Sequence, residues 1–284
     1  MLNEQQIQEI ETLQRICEQA DHISLKLNGD MLKMDTRQEG MDYFHYENEN
    51  LVGFLGLYGF GGQFEVCGMV HPDCRRQGIF TKLWNEALSS GRLDSTPTIL
   101  LNAPKASLTA PEWLKKVRCR YAFSEHEMAW HADVAVKKAA ADHSHALPLV
   151  SHRAYKPLDR NAVLHLCADG FDMSAEDMDD MLNEESRSVN RSRSMILLDD
   201  QTVGTFVMDY DIPDQAWIFG LVIDASFRGR GIGRNILNKI ISRENDRGRR
   251  PYISVETQNE NALYLYESCG FRSYAVQDYY ELNK

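Results

Sequence analysis

The most constraining feature of the chain is the stretch Trp217-Ile-Phe-Gly-Leu-Val-Ile-Asp-Ala-Ser-Phe-Arg-Gly-Arg-Gly-Ile-Gly-Arg-Asn-Ile-Leu237. An apolar and aromatic run, which reads as a buried strand, gives way to a loop with alternating glycines. Ile236, Leu237, Ile240 and Ile241 then recur at helical spacing. A strand, a glycine loop and a helix start together make an anion site, because unshielded backbone N–H groups and the positive end of the helix dipole point the same way. Gly229, Gly231 and Gly233 lack a Cβ and let a phosphate approach the backbone.

Three phosphate-binding readings compete. A P-loop needs Gly-x-x-x-x-Gly-Lys-Ser/Thr, which the chain lacks. A dinucleotide loop needs Gly-x-Gly-x-x-Gly, whereas this one reads Gly229-x-Gly231-x-Gly233; Glu256 lies roughly where a ribose-binding acid is expected, but too few residues follow Gly229 for the strands of that fold. The third reading is the pyrophosphate of coenzyme A.

Two motifs support the third reading. Arg228-x-x-Gly231-x-Gly233 resembles the Arg/Gln-x-x-Gly-x-Gly/Ala signature of the GNAT superfamily of N-acetyltransferases. Downstream, Asn259-x-x-Ala262-x-x-Leu265-Tyr266-x-x-x-Gly270-Phe271 is similar to the family's second signature. The resemblance covers residues 152 to 284. It implies an α/β (α+β) domain, a mixed and mostly antiparallel sheet flanked by helices, with acetyl-CoA as co-substrate.

The stretch has an earlier counterpart. Arg75 pairs with Arg228, Gly78 with Gly231, Ile79 with Ile232, Val70 with Ile223 and Leu83 with Ile236, all at an offset of 153. A repeat of that length is a duplicated domain. The expected division is residues 1–145, a degenerate GNAT-like copy, and 146–284, a catalytic one; the two-copy plan is similar to that of the mycothiol synthases. In the first copy Phe80 replaces the last glycine, and the position corresponding to Tyr266 of the second falls near Leu114. Leucine cannot donate a proton, so the first copy is expected not to catalyse, while Arg75 to Gly78 keep a loop that could hold coenzyme A.

The resemblance also assigns roles. The backbone of Leu221, Val222 and Ile223 would hold the pantetheine arm and polarise the thioester oxygen. Gly229, Arg230, Gly231, Ile232, Gly233 and Arg234, with Arg228, would receive the phosphates. Tyr266 would act as general acid: a phenol of pKa about 10 is protonated at neutral pH and can supply a proton to a departing thiolate. Asn259 would bond the pantetheine or cap its own helix. The general base is open, because Ala216 to Ile223 carries no acid; Glu256 on the next strand is the candidate, and Glu65 occupies the first copy's strand.

Composition narrows the partners. Net charge is −11, which argues against nucleic acid and favours cationic ligands. No apolar run reaches the length of a membrane span, and the N-terminal residues show no secretion signal. Six cysteines without a Cys-x-x-Cys pair read as free thiols of a reducing cytoplasm. No metal is expected; His143 and His145 read as solvated linker. The acidic run Ser174 to Glu185 reads as a solvated helix face or as an attractant for an amine. The activity expected is direct acetyl transfer to a primary amine of a small molecule. The alternatives are a non-catalytic acyl-CoA-binding scaffold or a peptide N-terminal acetyltransferase, and self-association as a homodimer stays open.

Periodicity supplies the other elements. Ile7, Ile10, Leu13 and Ile16 predict a helix over residues 3–20, Ile23 to Met34 a hairpin turning at Asn28-Gly29-Asp30, and Leu51–Tyr58 and Phe64–Val70 a strand pair. Arg120 to Trp130 predicts the strand that closes the first domain. In the second, Arg153–Leu158, Ser194–Leu198, Thr202–Asp209, Ala216–Ile223, Tyr252–Glu256, Phe271–Ala275 and Asp278–Leu282 predict strands.

Overall fold

The computed structural model describes residues 2–34, 37–60, 62–94, 96–133, 149–171 and 175–283. Its elements in chain order are α1 (Glu4–Asp21), α2 (Gly29–Leu32), β1 (Asp42–Glu47), β2 (Asn50–Phe60), β3 (Gln63–Val70), α3 (Ile79–Ser89), β4 (Thr98–Pro104), α4 (Ala110–Leu114) and β5 (Cys119–Trp130). There follow β6 (Val150–Ala154), α5 (Arg160–Phe171), α6 (Ala175–Arg187), β7 (Arg191–Leu198), β8 (Gln201–Asp209) and β9 (Gln215–Ile223). The last are α7 (Ile232–Asp246), β10 (Arg250–Glu256), α8 (Glu260–Ser268) and β11 (Phe271–Leu282). The chain packs as two compact units, Met1–Glu125 with Ala275–Lys284, and His126–Tyr274. The expected cut after residue 145 lies outside the described residues, as do His143, His145 and Ser174.

In the first unit the strand order is β1-β2-β3-β4, then the later residues of β11, then the first part of β5. β3 and β4 are parallel, and β11 runs antiparallel to β4 from Gln277↔Pro104 to Glu281↔Leu100. A C-terminal segment thus completes the sheet of the N-terminal unit. α1 starts on a capping box, Asn3 accepting from the Gln6 N–H at 2.8 Å and the Gln6 side chain accepting from the Asn3 N–H at 3.1 Å. Its buried face is Ile10, Leu13 and Cys17, as the periodicity requires.

The hairpin expected over residues 23–34 does not form. Asn28 takes φ 44° and opens the single turn of α2. The Leu25 N–H donates to the Glu18 carboxylate at 2.9 Å, and the Leu25 carbonyl accepts from Gln14 at 3.1 Å. Side chains of α1 therefore satisfy the backbone that a partner strand would have paired.

The second unit orders its strands β6-β7-β8-β9-β10, then the end of β5 and the start of β11. Asp199 and Asp200 both adopt positive φ and form the two-residue turn between β7 and β8. The two strands predicted over 271–282 are one continuous strand, and the strand predicted at 153–158 begins and ends earlier, at Val150 and Ala154. α7 buries Ile232, Ile236, Leu237, Ile240 and Ile241 against Ile218, Ile253 and Phe271 on one sheet face. On the other face α5 and α6 supply Val163, Leu166, Cys167, Met178 and Leu182, which pack with Met195 and Val222.

Candidate active site

The site of the second unit grows from a defect in its sheet. β9 and β10 pair in parallel from Gln215↔Arg250 to Ile218↔Ile253, and there the pairing stops although both strands run on. Beyond Ile218 the two strands splay. On its other side β9 pairs with β8, and Thr205↔Val222 is followed by Val207↔Phe219, so β9 spends one extra residue. That residue makes a β-bulge, and Gly220 within it takes φ 55°, a left-handed conformation open to glycine. A bulge re-aims backbone N–H and C=O groups out of the ladder. Leu221, Val222 and Ile223 follow it, beside the open wedge.

Asp224 accepts from the Ser226 hydroxyl and, capping the next turn, from the Ser226 N–H 2.9 Å away, and these bonds hold its carboxyl below the usual range. Gly231 is the N-cap of α7 at φ 77°, so the loop 229–233 delivers its N–H groups to the helix start. Gly233 lies on the first turn, where a Cβ would come within 3.1 Å of Leu265 on α8, so α7 and α8 approach closely there. Arg234 lies on the same turn and is half-buried. Arg230 donates to the Ser226 carbonyl at 2.9 Å, with its guanidinium 4.9 Å from the Phe227 ring.

Arg228 is bonded within its own unit. Its Nε donates to the Ile223 carbonyl at 2.8 Å and its Nη2 to Asp169 at 2.9 Å. The guanidinium ties the end of β9 to α5. Asn259 caps α8, its Oδ1 accepting from the Ala262 N–H at 3.1 Å.

Tyr266 and Tyr264 separate as expected of residues two apart on a helix. Tyr264 is 67% exposed, whereas Tyr266 is 7% exposed, with its ring 6.2 Å from Phe271. Burial, aided by Cys269, pushes the Tyr266 phenol up to about 12. Glu256 ends β10 with an exposed side chain on the same face as Tyr252 and Ser254.

The first unit keeps the splay but not the bulge. β3 and β4 pair from Gln63↔Thr98 to Val66↔Leu101 and then part, while β2 and β3 stay in unbroken register from Gly53↔Val70 to Phe60↔Gln63. Gly78 caps α3 as Gly231 caps α7, and Leu114 is buried. Glu65 occupies the third of the four parallel rungs, the rung held by Trp217 in the second unit. It faces a cation from the same unit: Lys26 Nζ lies 3.8 Å from Glu65, 2.9 Å from Glu125 and 2.6 Å from the Tyr279 hydroxyl. Burial alone would lower the lysine; Glu125 and Glu65 outweigh it and raise its pKa well above the ordinary value. Strands β1 and β4 and helix α4 escaped the sequence reading.

A splayed parallel pair, a bulge and a glycine-capped helix thus occur together in the second unit. The family model of the acetyltransferase (GNAT) family matches twice, over residues 6–106 and 162–271, and the chain belongs to that family as a tandem member. Among curated proteins it is 30% identical over 91 residues to the [ribosomal protein bS18]-alanine N-acetyltransferase of Salmonella typhimurium, covering 32% of this chain and 62% of that protein. It is 38% identical over 58 residues to N-alpha-acetyltransferase RimI of Mycobacterium tuberculosis, covering 20% and 35%. In each case the chain spans less than two thirds of the relative's length. Among solved structures, a GCN5-related N-acetyltransferase from Sphaerobacter thermophilus superposes with TM-score 0.76 at 18% identity over 96% of this chain and 91% of that one. A tandem GNAT protein from the clavulanic acid biosynthesis pathway gives 0.69 at 14% identity, covering 98% and 95%.

Proposed function

We propose that the second unit transfers an acetyl group from acetyl-CoA to a primary amine of a small molecule by direct attack. The observation that carries this reading is the bulge at Gly220, beside the splay of β9 and β10 and absent from the first unit's register. The backbone of Leu221 to Ile223 holds the pantetheine arm and gives the thioester oxygen a preorganised N–H donor. The N–H groups of residues 229–233 hold the pyrophosphate, with Arg230 and Arg234 supplying charge. Arg228 braces this loop. Tyr266, protonated at any working pH, gives its proton to the departing thiolate. Glu256 is the carboxylate that β10 itself offers to the acceptor side.

The first unit binds or braces but does not turn over. It has no bulge, α4 near the acid's counterpart carries no tyrosine, and Lys26 already sits against Glu65. Calorimetric titration of acetyl-CoA into the wild type, Gly231→Trp and Gly78→Trp tests the assignment. Loss confined to Gly231→Trp is expected. Loss confined to Gly78→Trp would reverse the roles of the copies.

A peptide acceptor is the second reading, favoured by the names of the curated relatives: the Salmonella typhimurium protein is named for an alanine of ribosomal protein bS18, and the Mycobacterium tuberculosis one as an N-alpha-acetyltransferase. An alanine-initiated peptide beside a panel of small amines, followed by thiol release, separates the two.

A further inference from the structure

Glu65 lies on the face of the first unit's sheet that α1 covers. Cys67 and Met69, on the same side of β3, pack with Ile10 and Leu13 of α1, whereas Val66 packs with Leu83 and Trp84 of α3. On that face Lys26 Nζ meets oxygens from three strands. It donates to Tyr279 Oη of β11 at 2.6 Å and to Glu125 Oε2 of β5 at 2.9 Å, and it lies at ion-pair distance, 3.8 Å, from Glu65 Oε2 of β3. The phenol in turn donates to Glu125 at 3.0 Å, and Asn28 donates to Glu65 at 3.4 Å. An alkylammonium carries three N–H donors on one nitrogen, and three oxygens gathered about a point suit it. A flat guanidinium fork does not have that shape.

The oxygens and the backbone beside Lys26 are held by contacts of their own. Tyr279 is 1% exposed, with its ring stacked on Phe123 at 4.6 Å and 20°. The Ser24 carbonyl accepts from the buried Gln277 at 3.0 Å, and the Leu25 backbone bonds Glu18 and Gln14 at 2.9 and 3.1 Å. The Lys26 side chain is 25% exposed, so the cluster reaches solvent along it. Shortening that side chain leaves a hole whose polar end is still built.

We propose that Glu65, Glu125 and Tyr279 form a binding site for a primary alkylammonium group, which the chain fills with its own Lys26. Glu65 stands on the third parallel rung, one before the last that β3 and β4 share. Lys26 thus acts as a built-in amine that closes the first unit to free ones. The inference rests on the acetyltransferase reading only in naming those free amines as acceptors. An ion pair whose sole task is stability would not discriminate among replacement cations by shape; a binding site does.

Lys26→Ala keeps Cβ and removes three carbons and a nitrogen, the heavy atoms of n-propylamine. The test titrates n-propylamine, a cation at neutral pH, into the full wild-type chain and into Lys26→Ala, by calorimetry and by the urea midpoint. Saturable binding to Lys26→Ala is expected, with a midpoint that climbs with the logarithm of amine concentration, as a ligand of the folded state requires. Neither 1-propanol, which has the length without the charge, nor tetramethylammonium, which has the charge without N–H groups, should do this. Wild type and Lys26→Met, whose side chains fill the hole, should bind no n-propylamine. Adding Glu125→Gln to Lys26→Ala should weaken n-propylamine about tenfold, the loss of one charged hydrogen bond.

If Lys26→Ala does not fold unaided, refolding by n-propylamine and by neither control supports the site. Lys26→Ala with Glu125→Gln orphans one carboxylate fewer and carries the same titration. Absence of n-propylamine binding in both variants, equal effects of the three probes, or equal binding to the wild type overturns the proposal. These readouts use no acetyl-CoA. Their failure leaves acetyl transfer by the second unit standing, and a chain that binds no acetyl-CoA leaves this site standing.

Discussion

Arg75 and Arg228 make the same pair of bonds in the two copies. Each Nε donates to the carbonyl of the residue five places earlier, Val70 at 3.0 Å and Ile223 at 2.8 Å. Each guanidinium then reaches an aspartate on an earlier helix, Asp21 at 2.8 Å and Asp169 at 2.9 Å. The signature arginine is a strut between strand end and helix in both copies. Arg228→Gln should loosen the loop, weakening acetyl-CoA several-fold by calorimetry, whereas Arg75→Gln should lower only the melting temperature. Each arginine is partly exposed, so the stability cost should be about 1 kcal/mol.

Tyr266→Phe removes the proton donor while keeping the ring against Phe271. Thiol release should fall by about a hundredfold or more, with acetyl-CoA affinity unchanged in calorimetry. An unchanged rate would move the acid elsewhere.

Gly220→Ala leaves open space around the new Cβ, so any penalty is conformational. A left-handed alanine costs about 1–2 kcal/mol. If the strand relieves that strain by flattening the bulge, turnover falls more than stability does. Hydrogen exchange on Leu221 to Ile223, beside chemical denaturation, resolves the two effects.

Lys26→Met strips the cation from Glu65 and Glu125 and should destabilise the protein by about 3–5 kcal/mol, the usual cost of an orphaned buried charge. Adding Glu65→Gln and Glu125→Gln should restore much of the loss. The measurement is the urea midpoint of each variant.

His152 lies beside Arg243, whose Nη1 is 3.1 Å from its Nε2, and packs edge-on to Phe206 at 5.6 Å. Burial first, then Arg243 and Lys239, lower its pKa below 6.5. Below that value the unfolded chain takes up a proton that the folded one refuses, so stability should decline as pH falls from 6.5 towards the folded pKa. His152→Phe should flatten that part of the melting-temperature profile.

The glycine loop, the strand before it and helix α8 were legible because each is written in contiguous residues. The duplication was legible too, and it even contains a trace of the bulge: Val70 matches Ile223 at an offset of 153, whereas Val66 and Ile218, the last paired rungs, match at 152. Only the register shows what that extra residue does. Asn28-Gly29-Asp30 has good turn chemistry, yet Glu18 and Gln14 take the flanking backbone and no hairpin follows. β1 is half-buried and mixes Asp42, His45 and Glu47 with Tyr43 and Phe44, so alternation does not reveal it.

The first unit's sheet takes residues 275–282 beside β4. A chain leaves the ribosome N-terminus first. The edge of β4 therefore waits, unpaired on that side, while residues 126–274 are made. During synthesis the older half of this protein is the last to be finished, and until then it offers a bare strand edge to any chaperone or neighbouring nascent chain that can pair with it.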